Sequence, residues 1–279
     1  MPTPSTTNGS VRVPETVRTF RLFKFLQPVG FERDTWTRIA DGRVEAKAIF
    51  SYHDRGMLVP LAASFILDEK DQPNRYAVWG KTSRMSELDD EVVREDHDTF
   101  FRQRLRQQAM RVEVKAPWAM ASGFAPMLAQ DLLLRAWARE GRPSTMSLLP
   151  EGKVSIESRG KKSYDVEGKA IMLEQISLLG LVWGREDAWI DDEGHLVAVV
   201  TRDGEFDLFE AALVNYESLI AQLTMQAGTD GVHYTSARRY RRGQRTGPAD
   251  LSLGIGRWRR LAFGGDSAHQ EAGRHRPIG

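Results

Sequence analysis

The sequence contains no cysteine, and it contains no uninterrupted apolar segment long enough to cross a bilayer. Without cysteine there can be no disulfide bond, thiolate zinc site or cysteine nucleophile. A membrane-spanning helix needs about 20 consecutive apolar residues, so no membrane span is expected. Residues 1–17 are polar and lack the apolar core of a signal peptide. We expect them to form a disordered leader without an export signal.

The motifs that identify common catalytic and nucleotide-binding sites are also missing. The sequence holds no GxSxG, GxGxxG or GxxxxGKS/T segment, and its six histidines show none of the paired spacings of zinc hydrolases. His53 and His195 have polar neighbours in strand patterns and are expected to face solvent. Glu186 and Asp187 are adjacent in a strand, where successive side chains point to opposite faces. We therefore predict no catalytic residue, no metal site and no cofactor.

Three acidic residues alternate in one short segment: Asp203, Glu205 and Asp207. In an extended chain their carboxylates would share one face, and three such oxygens could bind a calcium ion. Their spacing does not match that of a calcium loop, however. Solvated side chains, with Asp207 near the positive end of a helix, are the favoured interpretation.

The net charge of +1 conceals two parts of opposite charge. Residues 228–279 hold ten arginines, no lysine and four acidic residues, which gives this segment a charge of +6. The rest of the chain carries 29 basic and 34 acidic residues, a charge of −5. The aromatic residues of the basic segment are scattered and no nucleic-acid-binding fold precedes it. A disordered or spurious tail is therefore favoured over a nucleic-acid-binding arm, and residues 18–227 are expected to form one β-rich domain.

The stretch FAPMLAQDLLLRAWAREG, residues 124–141, predicts a helix that is buried on most of its circumference. Pro126 suits the first turn of a helix, and Gly141 suits the position just after its end. The apolar residues between them cover more than one stripe, which is typical of a helix enclosed by other elements. Ser122 could cap this helix at its start.

Period-two patterns predict strands on both sides of this helix. The alternation is clean over residues 43–53 and is repeated over residues 57–67. The tetrapeptide QPVG at residues 27–30 predicts a turn between two earlier strands. Residues 86–116 fit either an amphipathic helix or exposed strands, and strands are favoured.

A second helix is predicted at about residues 207–224. Apolar residues recur there with helical spacing: they are Phe209, Leu213, Tyr216, Ile220 and Leu223. The expected fold class is α+β and mostly β. We picture a curved antiparallel sheet wrapped around the central helix (about residues 124–140), with the second, amphipathic helix packed on it.

Trp79, Trp183 and Trp189 are the candidate ligand-binding residues. Tryptophans more often pack in a core or at a sheet edge, because they bury large areas. A curved sheet around a helix can, however, leave an apolar cleft between the two. These three side chains are the candidates to line such a cleft.

Several stretches together resemble one protein family: they are FRLFKFLQPVGFER, SYHDRGMLVPLAASF, WGKTSR, GFAPMLAQDLLLRAWAREGRP and GLVWGREDAWIDDEGHLVAVVTRDGEFDLFEA. They are similar to the N-terminal, non-catalytic region of bacterial exported amidohydrolase-family proteins, over about residues 18–230. The resemblance implies a β-rich region that precedes a metal-dependent hydrolase barrel, and a periplasmic or other extracytoplasmic location. The barrel and its histidines are absent from this sequence, so no catalytic residue carries over.

Two functions follow as expectations. The first is an accessory module, inactive by itself, whose partner is a metal-dependent hydrolase barrel normally on the same chain. The alternative is a stand-alone periplasmic binder of a lipid or other apolar ligand, held in the cleft between sheet and helix. A nucleic-acid partner is not expected under either.

Overall fold

The computed structural model describes residues 16–39, 42–54, 56–81, 86–95, 97–121, 126–182, 184–202 and 208–228. In this part of the chain fifteen strands form one large curved sheet that does not close on itself. The strands are β1 Thr16–Lys24, β2 Gln27–Arg38, β3 Val44–Asp54, β4 Met57–Leu67, β5 Pro73–Lys81, β6 Glu87–Glu95, β7 Asp98–Gln103, β8 Gln108–Val112, β9 Trp118–Met120, β10 Thr145–Leu149, β11 Lys153–Val166, β12 Lys169–Leu179, β13 Arg185–Ile190, β14 Leu196–Arg202 and β15 Leu208–Leu213. Helix α1 is Met127–Arg139, helix α2 is residues 220–228, and 3₁₀ turns lie at Arg104–Arg106 and Val214–Leu219.

The sheet is built from two antiparallel meanders joined in the middle. Strands β1 to β8 pair in sequence order on one side, and β15 to β10 pair in reverse order on the other. The two halves meet where β1 pairs with β15. Strand β9 adds to β10 in parallel, so that β8 and β9 are the two edges of the sheet. The expected mostly-β fold with an antiparallel sheet is thus confirmed.

Strand alternation follows the sequence pattern closely in the β1–β8 half. In β3, Ala46 and Ala48 are buried, whereas Glu45 and Lys47 point to the opposite face. Strand β14 differs, because every residue from Leu196 to Val200 is buried. One face of β14 packs in the cluster that includes α1, and the other face packs with α2. A strand covered on both faces has a continuous apolar run instead of an alternating one.

Helix α1 is the helix expected over residues 124–140. Ten of its residues are buried, and its apolar side chains belong to two core clusters. One cluster contains residues of β1 and β10–β15, and the other contains residues of β2–β7. After the helix, Gly141 adopts a φ of +80°, and the N–H of Arg142 donates to the carbonyl of Trp137. This left-handed ending is the role the sequence predicts for Gly141.

The first turn and the second helix differ from the sequence predictions. The β1–β2 turn is formed by Phe25 and Leu26, and the QPVG segment instead belongs to strand β2. The helix predicted from residue 207 begins later, because Leu208–Leu213 forms strand β15. Only the later part of that segment is helical. Residues 86–116 contain strands β6, β7 and β8, as favoured from the sequence.

Several expectations concern residues that the structure does not describe. Apart from Thr16 and Val17, which begin β1, the expected leader lies outside the described residues. The same holds for the basic tail beyond Gly228 and for the Asp203–Glu205–Asp207 segment. Ser122, the expected cap of α1, is also outside them. Within the described ranges, no helix has the length and apolar character required to span a membrane.

Candidate functional site

An open groove of about 740 Å³ lies on the face of strands β3–β6 that points away from α1. Its residues in β3–β5, such as Lys47, Ser64 and Trp79, alternate with residues of the core cluster that includes α1, which places them on the opposite face. The groove is lined by residues of four strands and of the 3₁₀ turn before β8. They are Glu45, Lys47, Pro60, Ser64, Arg75, Ala77, Trp79, Gly80, Lys81, Glu87, Leu88, Asp89, Arg104 and Leu105. We call it the Trp79 groove.

Trp79 is the aromatic residue of this groove, and 41% of its surface is exposed. It lies beside Ala62 of β4 and Asp89 of β6 in the sheet register. The next residue, Gly80, has a φ of +129°, and a Cβ there would lie 2.4 Å from the carbonyl oxygen of Pro60. Only glycine allows β4 and β5 to approach so closely at this point. Leu105, which is 54% exposed, adds a second apolar side chain.

One wall of the groove is a network of arginines around Glu91. Arg75 donates to one oxygen of the Glu91 carboxylate, and Nη2 of Arg104 lies 3.1 Å from the same oxygen. Nη1 of Arg102 is 3.6 Å from the other oxygen, and Arg104 also approaches Asp89. Burial raises the pKa of Glu91, but the hydrogen bonds and charges of Arg75 and Arg104 outweigh it and leave the pKa below its usual value. This wall therefore keeps its charges at neutral pH.

A second group of polar side chains is buried beneath α1. The carboxylate of Glu32 accepts hydrogen bonds of 2.8 Å from the N–H groups of Met127 and Leu128, at the start of the helix. Burial raises the pKa of Glu32 to about 7. Burial and the neighbouring Glu32 also raise the pKa of Asp34 well above its usual value. A carboxylate at a helix N-terminus is favourable because it accepts otherwise unpaired N–H groups.

Helix α1 is tied to the sheet by a further carboxylate, Asp131. Its Oδ1 accepts a 2.7 Å hydrogen bond from the N–H of Leu196 and lies 3.1 Å from Nη1 of Arg18. Its Oδ2 lies 2.8 Å from Nη2 of Arg135, one turn further along the helix. Among the described residues, no group of three or more potential ligands has a geometry that could hold a metal ion. These contacts position the helix.

Glu186 and Asp187 point to opposite faces of β13, as their adjacency predicts. The hydroxyl of Thr201 donates to Glu186 over 2.6 Å, whereas the side-chain amide of Gln175 donates to Asp187 over 3.3 Å. Nη2 of Arg185 also lies 2.8 Å from the carboxylate of Asp187. The two carboxyls therefore do not act on one site.

The expected histidine positions are found on or near the surface. His53 is exposed. The side chain of His195 is 36% exposed, and its Nε2 lies 3.6 Å from Glu193 in the same turn.

The three tryptophans singled out from the sequence do not form one described site. Trp79 lines the outer groove, whereas Trp189 is fully buried in the cluster beneath α2. The indole N–H of Trp189 donates to the hydroxyl of Tyr164 over 3.2 Å. Trp189 therefore offers no surface to a ligand in this structure. Trp183 lies outside the described residues.

Sequence reasoning missed the charged residues that surround Trp79. Arg75, Glu91 and Arg104 are far apart in the chain, and they meet because β5, β6 and the following 3₁₀ turn are neighbours in the sheet. Alternation predicted that Arg75 and Trp79 share a face of one strand. No local signal in the sequence indicates which strands pair with β5.

Comparison with known proteins gives little further information. No family model matches the chain, and no curated protein matches it. Among solved structures, the crystal structure of a beta-barrel-like protein of domain of unknown function DUF1849 from Brucella abortus is similar. It is 10% identical, with a TM-score of 0.49, over 74% of this chain and 98% of that one.

The relationship to amidohydrolase-family proteins expected from the sequence is wrong. Neither a family model nor a curated protein supports that family. Where the quoted stretches fall within the described residues, they belong mainly to strands of this sheet and to helix α1. The hydrolase barrel expected as a partner, and the location inferred from the family, stay predictions that the structure does not test.

Proposed function

We propose that this domain is a binding module whose ligand site is the Trp79 groove. The observation that carries the proposal is an indole that is 41% exposed within a groove walled by charged side chains. The volume of about 740 Å³ is in the range of small-molecule sites. An exposed tryptophan beside ordered charges suits a ligand with an apolar portion and a polar or charged group.

One cationic side chain of the groove, that of Lys81, favours an anionic group on the ligand. Its cationic residues are Lys47, Arg75, Lys81 and Arg104, and its acidic residues are Glu45, Glu87 and Asp89. Part of this charge is already neutralised, because Lys47 lies 2.9 Å from Glu45 and Arg104 is paired with Glu91. Lys81 also lines the groove, and no ion pair between Lys81 and an acidic side chain is seen among the described residues. An amphipathic anion, with its apolar part over Trp79 and Leu105, fits this arrangement.

An apolar ligand between α1 and the sheet, the site expected from the sequence, has less support. Leu128 and Leu133 of α1 are fully buried, and they pack in the two clusters that fill this space. A ligand there would have to displace packed side chains of the helix. We therefore propose that a lipid-like ligand, in the form of an amphipathic anion, binds in the Trp79 groove on the outer face of the sheet and not between the sheet and α1.

The Trp79→Ala variant tests this function. The probe is dodecyl phosphate below its micelle concentration, and its binding is measured by titration calorimetry. We expect the wild type to bind it and the variant to bind it about fivefold more weakly or worse, because an aromatic contact contributes about 1 kcal/mol. Met172→Ala, which removes another exposed apolar side chain from β12, is the matched control. Equal affinity of the wild type and Trp79→Ala would exclude the groove as the site.

A further inference from the structure

One end of the β1–β8 half of the sheet is apolar and basic. In an antiparallel meander, every second turn lies at the same end of the strands. The turns β1–β2, β3–β4 and β7–β8 lie at one such end, and each presents exposed large apolar side chains. They are Phe25, Leu26, Met57, Leu58 and Leu105, with exposed fractions between 39% and 54%. We call these five residues the apolar rim.

The turns at the opposite end of the same strands differ from the rim in their exposed side chains and in their charge. Residues 38–44, 67–73 and 95–98 contribute none of the exposed large apolar side chains found in the described part of the chain. Their described residues include five acidic and three basic ones. At the rim end, the described residues of the turn segments (24–27, 54, 56–57, 81, 86–87 and 103–108) include four basic and two acidic ones. The two ends therefore have charges of opposite sign, and the positive charge accompanies the apolar side chains.

The backbone conformation of the β1–β2 turn at the rim is unfavourable for the two residues that form it. Phe25 and Leu26 have φ values of +52° and +62°, which bulky residues rarely adopt. Two-residue hairpin turns with this backbone favour Asn-Gly. The turn is held by the N–H of Phe25, which donates to the carbonyl of Leu208, and by the N–H of Leu26, which donates to the carboxylate of Glu210. Two large apolar side chains are thus kept in solvent at a position where the fold favours small polar ones, which points to a role other than stability.

We propose that the apolar rim docks on the surface of a lipid bilayer that carries anionic headgroups. Phe25, Leu26, Met57 and Leu58 enter the boundary between headgroups and acyl chains, and the basic residues of the adjoining turns face the phosphates. Apolar side chains flanked by lysine and arginine are the features by which peripheral segments bind such membranes. The acidic turns at the opposite end face away from the bilayer. This docking goes beyond the Trp79 groove and does not depend on ligand binding there.

The double variant F25N/L26G tests the inference on the full-length chain. We expect the wild type to co-sediment with vesicles of equimolar phosphatidylcholine and phosphatidylglycerol, and to bind vesicles of phosphatidylcholine alone at least tenfold more weakly. The variant should bind the anionic vesicles at least tenfold more weakly than the wild type, yet melt at a higher temperature, because Asn-Gly suits the turn. Met172→Ser, which changes an exposed apolar residue away from the rim, should bind as the wild type does.

The variants separate binding by the apolar rim from binding by the basic tail. The ten arginines of residues 228–279 contribute charge to the wild type and the variants alike, so a difference between them reports on the rim. Equal binding of F25N/L26G and wild type to anionic vesicles, or no binding by the wild type, would overturn the proposal. So would a dimer without lipid that F25N/L26G dissociates, since it would identify a second copy of the chain as the occupant. Loss of vesicle binding with unchanged affinity for dodecyl phosphate would leave the Trp79 groove intact as a separate site.

Discussion

Glu186 is fully buried in strand β13, and its Oε1 has no hydrogen-bond partner within the described structure. Burial raises the pKa of Glu186 from 4.5 to about 7, although hydrogen bonds from Thr201 and Gln130 oppose the shift. Between these two values the folded protein holds the proton and the unfolded chain releases it. The free energy of unfolding therefore falls as the pH rises from about 4.5 to about 7. Glu32 and Asp34, whose pKa values burial also raises, act in the same direction.

The Glu186→Gln variant tests this contribution, because the amide resembles the protonated carboxyl in shape and charge. We expect the variant to be more stable than the wild type by about 2 kcal/mol at about pH 8, and to be about equally stable at about pH 4. Urea unfolding at both pH values measures the difference. A variant that is less stable than the wild type at the higher pH would show that Glu186 is ionised without penalty.

The candidate ligand residues show how far individual positions could be predicted. Trp79 and Trp189 both lie in strands with mixed neighbours, and nothing local distinguishes them. Trp189 is buried because α2 and the residues before it cover that face of β13, whereas Trp79 on the outer face of β5 borders an open groove. Which face of a sheet receives a second layer is decided by distant parts of the chain. The sequence predicted that tryptophan side chains could form the site. It did not predict that Trp79 is exposed and Trp189 is buried.

Helix α1 is held at its start by strand β2 and not by its own cap. The residue before it, Pro126, provides no side-chain hydrogen bond, and the Glu32 carboxylate fills this role from a position 95 residues earlier. A capping residue close in sequence stabilises the helix alone. A carboxylate from a strand also fixes where the helix lies on the sheet.

The Glu32→Ala variant is expected to lower the free energy of unfolding by about 2–4 kcal/mol, because it leaves two buried N–H groups without an acceptor. Glu32→Gln retains one acceptor oxygen and should lose less. Urea unfolding near pH 8, where the carboxylate is charged, measures both changes. The exposed Glu157→Ala serves as the control and should change stability by less than about 0.5 kcal/mol. Equal stability of Glu32→Ala and wild type would mean that water replaces the cap.

The elements that were predicted well are those whose pattern fits a single type of structure. Strand β3 alternates cleanly, and α1 is too apolar around its circumference to be anything but a buried helix. Phe25 and Leu26 are not residue types that favour turns, so the sequence did not indicate the turn that they form. Hydrogen bonds to Leu208 and Glu210 hold them in this conformation. Leu208–Leu213 satisfied a helical spacing and became a strand, because β1 and β14 offered unpaired edges on both sides of it. In both segments the conformation depends on which strands are neighbours in the sheet, and the local sequence does not indicate these neighbours.

At the scale of the whole molecule, stability should be lowest at the edges of the sheet. Strand β8 has only one neighbour, and four of its five residues are exposed. We expect the backbone amides of Gln108–Val112 to exchange with deuterium much faster than those of β1, β14 and β15, which lie in the middle. Hydrogen exchange followed by mass spectrometry measures this order. Strong protection of β8 would instead indicate that another strand covers this edge in solution.

The pairing of β1 with β15 has a consequence for how the protein is made. Phe20 lies opposite Leu213, so β1, the first of the described strands to leave the ribosome, pairs with β15, the last of them. Strands β1 to β8 can assemble as they emerge, but one edge of β1 stays open until residues 208–213 have been synthesised. Until then the nascent chain presents an unpaired edge at β1, and β15 joins the two halves of the sheet. Contacts between residues so far apart in the chain also form slowly, so we expect the pairing of β1 with β15 to be a late step in the folding of this sheet.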